Sequence, residues 1–201
     1  MQNKIAMRID ESPCGTIFVT SDFSDIASSK TANRALLRLE EKGIIRRVLR
    51  GVYEKPEYSD ILQEYVAPSP DKVARAIARN YGWRIVPNGG IALNMLGLST
   101  QVPSTWLYAS DGPYKVYFVG GIALTFKHAA QRDFANLSDM TALVIQALKA
   151  LGEKGVTETV LCTLASLLTS EEKEQMIQEA KYATDWIYQN IRKISECESD
   201  R

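Results

Sequence analysis

The chain has 201 residues, 45% of them hydrophobic and 24% charged, the balance of an ordinary globular protein, which excludes a disordered or fibrous one. Its 24 bases and 24 acids cancel, which taken alone argues against indiscriminate nucleic-acid binding, yet they are unevenly spread. No apolar run approaches the ~18 residues of a membrane span, and acids stand where a signal peptide carries its apolar stretch, so a cytoplasmic protein without membrane contact is expected.

The length predicts two domains. Residues 2 to 10 read as a first helix with Ile5, Met7 and Ile9 as its apolar positions, stopped by Ser12-Pro13 and Gly15. Thr16 to Val19 reads as a short strand, and a brief second helix is expected from Ser21, which would cap it, to Ala27. In the third helix Ser29 is the expected N-cap, and Ala32, Ala35, Leu36 and Leu39 fall on one apolar stripe. The opposite side is basic: Lys30, Arg34 and Arg38 repeat every four residues, with Thr31 and Asn33 close by. A recognition helix presents such a face to base edges, where Arg can take guanine and Asn adenine. Gly43 is expected to end this helix in a left-handed conformation. Ile44 to Leu49 and Val52-Tyr53 then read as a hairpin about Arg50-Gly51, projecting Arg46, Arg47 and Arg50 as a wing toward phosphates, and Pro56 closes the module. Between Ser28 and Lys55 eight bases face three acids, whereas the tail from Leu167 carries eight acids and five bases.

The second domain, residues 68 to 201, is expected to be mixed α/β with a helical C-terminus. Its elements are a helix from Pro70 to Asn80 capped by Ser69, a strand from Trp83 to Val86, and strands Trp106 to Ala109 and Tyr114 to Val119 flanking a Ser-Asp-Gly-Pro turn. A strand from Ile122 to Phe126 completes a small mixed sheet. Helices follow over Ser138 to Leu151, Thr157 to Leu168, and Glu171 to Ile194 with Ser170 as cap. Tyr182, Trp186, Ile187 and Ile191 of the last helix read as core, with docking on a partner as the alternative.

Pro87 to Leu93 carries paired glycines before a helix, a pattern that can cradle phosphate on backbone amides. Nucleotidyl transfer also needs paired carboxylates to hold divalent ions, and the next acid, Asp111, has none beside it, so a structural turn is the expectation and an enzyme the rival. His128 sits near no recognisable nucleophile motif and reads as a strand-end residue. Cys14, Cys162 and Cys197, widely spaced and with a single histidine in the chain, predict neither a disulfide framework nor a zinc site. No metal, cofactor or catalytic residue is expected.

The run SKTANRALLRLEEKGIIRRVLRGVYEKP resembles the N-terminal winged helix of the AbiEi-like antitoxins of type IV toxin–antitoxin systems. The run SPDKVARAIARNYGWRIVPNGGIALNMLGLSTQVPSTW is similar, more loosely, to that family's second domain, and the resemblance covers about residues 1 to 150. It implies an N-terminal winged helix-turn-helix over residues 1 to 58 that binds the protein's own operator as an autorepressor. Carried over to this sequence, it supports Lys30, Asn33, Arg34 and Arg38 on the recognition helix and Arg46, Arg47 and Arg50 in the wing. The resemblance implies double-stranded operator DNA and a cognate toxin resembling a nucleotidyltransferase as partners, and the rest of the chain is expected to contact the toxin or, alternatively, a second protomer in a homodimer. A solitary winged-helix regulator is the alternative.

Overall fold

Residues 2–101, 103–129 and 136–197 are described by a computed structural model of the chain, an α+β protein with eight α-helices and three sheets among those residues. They fall into two compact units, Met1–Arg84 with Tyr117–Leu124, and Ile85–Val116 with Thr125–Arg201. Among the described residues no helix is long and apolar enough to cross a membrane.

The first unit opens with α1 (Gln2–Glu11), β1 (Ile17–Val19), a 3-10 turn (Thr20–Phe23) and α2 (Ser29–Glu41). Strands β2 (Arg46–Leu49), β3 (Val52–Glu54), β4 (Tyr58–Ser59) and β5 (Glu64–Tyr65) follow, and then α3 (Pro70–Tyr81). Ile5 and Ile9 of α1 are buried and Met7 is exposed, because at 3.6 residues per turn a side chain two places from each points the other way. They pack with Phe18, Phe23, Leu36, Leu39 and Tyr53 into one core. The expected second helix shrinks to the 3-10 turn. There the Asp22 carboxylate, not Ser21, secures the start by accepting from the Val19 amide at 2.9 Å. Strands β1, β3 and β2 form an antiparallel sheet in that order.

Helix α3 was expected to open the second domain, but it belongs to the first unit. The sheet face opposite α2 carries Ile17, Val19 and Val52, all buried, and a three-stranded sheet must cover such a face with something apolar. Helix α3 packs on β1, and its buried residues are Val73, Ala74, Ala76, Ile77 and Ala78. The Arg79 guanidinium donates to Asp22 at 2.6 and 3.0 Å, and the Lys72 ammonium donates to the Gly15 carbonyl at 3.2 Å. Pro56 leads into the β4–β5 hairpin, within the first unit.

The second unit contains β6 (Ile85–Pro87), α4 (Gly90–Met95) and β7 (Thr105–Ser110), then α5 (Asp139–Leu151), α6 (Glu158–Leu167), α7 (Ser170–Glu179) and α8 (Asp185–Glu196). Strands β8 (Lys115–Val119) and β9 (Ile122–His128) contribute residues to both units. The sheet order is β6-β7-β9-β8, so β7 and β8, which flank the Ser-Asp-Gly-Pro turn, are not neighbours. The Ala129 amide donates to the Ser110 carbonyl at 2.9 Å, which brings the ends of β7 and β9 together. His128, at the end of β9, lies with Nδ1 2.9 Å from the Gly112 carbonyl.

The long helix expected over Glu171 to Ile194 is two helices, separated by a 3-10 turn at Ala180–Tyr182. Folding back lets Met176 and Ala180 meet Ile187, Ile191 and Ile194 in a core shared with α4, α5 and α6. Tyr182 sits on the bend and is exposed, so of the four expected core positions it alone stands outside; Trp186 is half-buried. Thr169, rather than Ser170, caps α7 in a reciprocal pair with Glu172. Cys162 and Cys197, far apart in sequence, lie with their sulfurs 3.0 Å apart.

Glu179 locks two of these helices. Its carboxylate accepts from the Ser138 amide at 2.8 Å and from the Ser138 hydroxyl at 2.9 Å, at the N-terminus of α5. Burial pushes its pKa up, but hydrogen bonds from Thr141, Ser138 and Gln175 outweigh this and hold it below the ordinary carboxylate value. A depressed folded-state pKa gives stability that is present above the unfolded value and lost as pH falls through the folded one. Glu179→Ala should therefore cost about 1–2 kcal/mol at neutral pH. In thermal melts the gap between wild type and variant should persist at about pH 6 and close below about pH 4.

Candidate nucleic-acid interface

Helix α2 is amphipathic because its two sides answer to different solvents. Ala32, Ala35, Leu36 and Leu39 are buried, as the spacing predicts, and Lys30, Asn33, Arg34 and Arg38 are exposed on the other side. The N-cap is Ser28, one residue earlier than expected; its Oγ accepts from the Thr31 amide at 3.4 Å and lies 3.1 Å from the Thr31 hydroxyl. Thr31 is thus half-buried and engaged in capping. The Thr20 hydroxyl donates to Asn33 Oδ1 at 2.5 Å, using one of the two lone pairs that reading adenine would draw on and anchoring the amide from outside the helix. Leu37, not anticipated, is 42% exposed in the middle of the basic face, where an apolar side chain can meet a thymine methyl. Its position four residues after Asn33 and between Arg34 and Arg38 was the available signal.

Gly43 follows α2 with φ 71, the left-handed conformation predicted for it, and the chain turns into β2. Along a strand neighbours point to opposite faces, so Arg46 and Arg47 cannot both project outward together. Arg46 pairs across the sheet with Glu54, which is only 2% exposed, and its Nε donates to that carboxylate at 2.5 Å. The same guanidinium donates to the Val66 carbonyl and lies over the Tyr65 ring, 6.0 Å from its centroid. Arg46 is therefore half-buried and holds the β4–β5 hairpin instead of reaching solvent as a wing residue. Arg47 is exposed and pairs with Tyr53, on the sheet face that packs on α2. Burial pushes the Tyr53 hydroxyl above its usual range, Glu40 adds to the rise and Arg47 opposes it, so a helix acid and a strand base meet around that phenol.

Arg50 is exposed at the hairpin tip beside Gly51, whose φ of 79 suits glycine alone. Leu49, Arg50 and Val52 line a cavity of about 230 Å³ with Ile77, Tyr81 and Tyr117, so the tip rests over α3. There burial, with Tyr81 as neighbour, pushes the Tyr117 hydroxyl up to about 12.

Of the bases between Ser28 and Lys55, Lys55 joins Arg46 in an internal role, donating to the Asp10 and Ser12 carbonyls at 2.6 and 2.8 Å at the C-terminal end of α1. Lys30, Arg34, Arg38, Lys42, Arg47 and Arg50 remain exposed. The nearby acids Asp22 and Asp25 are paired with Arg79 and Arg8.

In the second unit Pro87 ends β6, Asn88-Gly89 makes the turn and α4 begins at Gly90. The Gly89 amide donates to Asn88 Oδ1 at 2.6 Å, and Leu107 and Pro103 stand within 4 Å of the places where Cβ atoms on Gly89 and Gly90 would lie. Among the described residues no group of three His, Cys, Asp or Glu side chains is placed to hold a metal ion.

The model of a family of unknown function, DUF6088, matches residues 4–176, and the chain belongs to that family. No curated protein matches the chain.

Removing the charge partner of a buried carboxylate is costly, whereas trimming exposed bases is not. Arg46→Ala should lower stability by about 2–3 kcal/mol, and Arg34→Ala and Arg50→Ala by under about 0.5 kcal/mol, in urea denaturation.

Proposed function

We propose that the first unit is a winged helix-turn-helix that binds duplex DNA, with α2 in the major groove and the β2–β3 hairpin as the wing. The observation that carries this reading is the exposed cationic side of α2, opposite its buried stripe, with Arg47 on the sheet face toward that helix and Arg50 at the hairpin tip. The order of helix, strand, 3-10 turn, helix and hairpin supports this reading, with the 3-10 turn taking the place of the motif's second helix. Arg34 and Arg38 are the base-reading candidates, Asn33 is braced by Thr20, and Leu37 offers an apolar contact. Lys30, Arg47 and Arg50 are phosphate or minor-groove contacts. Arg46 and Thr31 serve the scaffold.

In this reading the chain is a cytoplasmic autorepressor and the antitoxin of a type IV toxin–antitoxin pair, acting on its own operator and counteracting a nucleotidyltransferase-like toxin without catalysis of its own. Support for the antitoxin half comes from the resemblance to AbiEi-like antitoxins and from a surface suited to protein rather than DNA. The β4–β5 hairpin exposes Ile61 at 94% and Leu62 at 64%, flanked by the acids Glu57, Asp60 and Glu64, which phosphates would repel.

Fluorescence anisotropy with duplex from the region upstream of the gene should give affinity that falls with salt. Arg34→Ala should weaken it by about 1–3 kcal/mol with relaxed sequence preference, and Arg50→Ala should weaken it on all sequences and lower the salt slope by about 1. No binding at low salt would end the repressor reading. Co-expression with the neighbouring gene tests the other half: a harmless neighbour, or one still toxic beside this protein, leaves only a solitary regulator.

A further inference from the structure

We propose that Cys162 and Cys197 form a dithiol oxidation site, at which a hydroperoxide converts the pair to an intramolecular disulfide that ties α6 to the end of α8. The two residues are 35 apart in sequence, yet their sulfurs stand 3.0 Å apart, about 1 Å more than an S–S bond. Each is carried by a packed element. Helix α6 is capped by Thr157, whose Oγ1 accepts from the Val160 amide at 3.4 Å, and it packs on α8 through Leu161 and Leu164. Cys197 follows α8 directly, behind the buried Ile187, Ile191 and Ile194, and its carbonyl accepts from the Lys173 ammonium at 3.2 Å. The juxtaposition therefore comes from the helix packing itself.

Access is provided as well. Cys162 is exposed, Cys197 is half-buried, and both line a cavity of about 500 Å³ with Glu158, Asn190 and Lys193, ample for a small peroxide. The hydrogen bond shared with Cys197 holds the Cys162 thiol above its usual range. In the reaction one sulfur attacks a peroxide oxygen and the O–O bond breaks. An alcohol leaves, or water when the oxidant is hydrogen peroxide, and a sulfenic acid remains. The second sulfur then attacks the first, forming the S–S bond and releasing water. Two thiols and one peroxide thus yield one disulfide, one alcohol and one water, with the peroxide reduced and both thiol protons accounted for. Cys14, exposed in the other unit, has no such neighbour among the described cysteines and supplies an internal reference.

The test uses the full reduced chain, treated with hydrogen peroxide, quenched, denatured and alkylated before mass spectrometry. The expected product carries one alkyl group, on Cys14, is lighter by two hydrogens, and yields a reducible crosslinked peptide pair containing residues 162 and 197. Its thermal midpoint should rise by about 5 °C or more over the reduced form and fall back with dithiothreitol. Cys14→Ser should leave the crosslink intact, and Cys162→Ser or Cys197→Ser should abolish it. Because the crosslink is read on wild type, the test does not depend on those variants folding. Alkylation of all three cysteines after peroxide, overoxidation of Cys162 or Cys197 without a crosslink, or disulfide only between chains through Cys14 would each overturn the proposal.

Discussion

A carboxylate that is 2% exposed cannot stand alone in a protein interior, and Glu54 organises the first unit because it must be answered. Arg46 answers it from the neighbouring strand, and the same guanidinium accounts for the Val66 carbonyl and the Tyr65 ring. One charge pair thereby sets β2 against β3, holds the β4–β5 hairpin to the sheet, and removes one arginine from the solvent-facing set. What remains exposed is decided by this internal demand. A count of basic residues in the sequence overstates the solvent-facing positive charge because it cannot see which bases the fold has already used.

Much of this was legible in the sequence where a single periodicity decided the outcome. The stripe of Ala32, Ala35, Leu36 and Leu39 placed one side of α2 in the core, and the basic residues could only lie on the other. Gly43 and Arg50-Gly51 gave the turns their positions for the same local reason, a backbone conformation that glycine alone adopts without strain. Legibility failed where a residue's fate depends on a partner distant in the chain. Arg46 and Arg47 are adjacent and chemically alike, and only the register of β2 on β3 tells them apart. Helix α3 showed its own apolar face in the sequence, but nothing local said that Ile17, Val19 and Val52 would be the surface it covers. The bend between α7 and α8 escaped notice because the apolar pattern runs on through it, while the break serves the packing of two short helices on each other. The meeting of Cys162 with Cys197 is likewise non-local, a result of α6 packing on α8.

The first unit separates two kinds of surface by charge. Exposed arginines and lysines outnumber acids on α2 and on the β2–β3 hairpin, and the β4–β5 hairpin carries exposed Asp60 and Glu64 beside exposed Ile61 and Leu62. The overall neutrality of the chain is the sum of these opposed regions and describes neither of them.

The first unit is not a continuous stretch of chain. It is left at Arg84 and completed by Tyr117–Leu124. During synthesis α2 and its hairpin emerge early and can form their local contacts, but the cavity wall that Tyr117 supplies beside Tyr81 is made only after much of the second unit's sheet has been translated. In chain order the residues of the cationic surface thus precede the last of the residues that line this cavity. Vectorial synthesis makes the N-terminal unit the first to begin folding, and delays its completion until Leu124, partway through the sequence of the second unit.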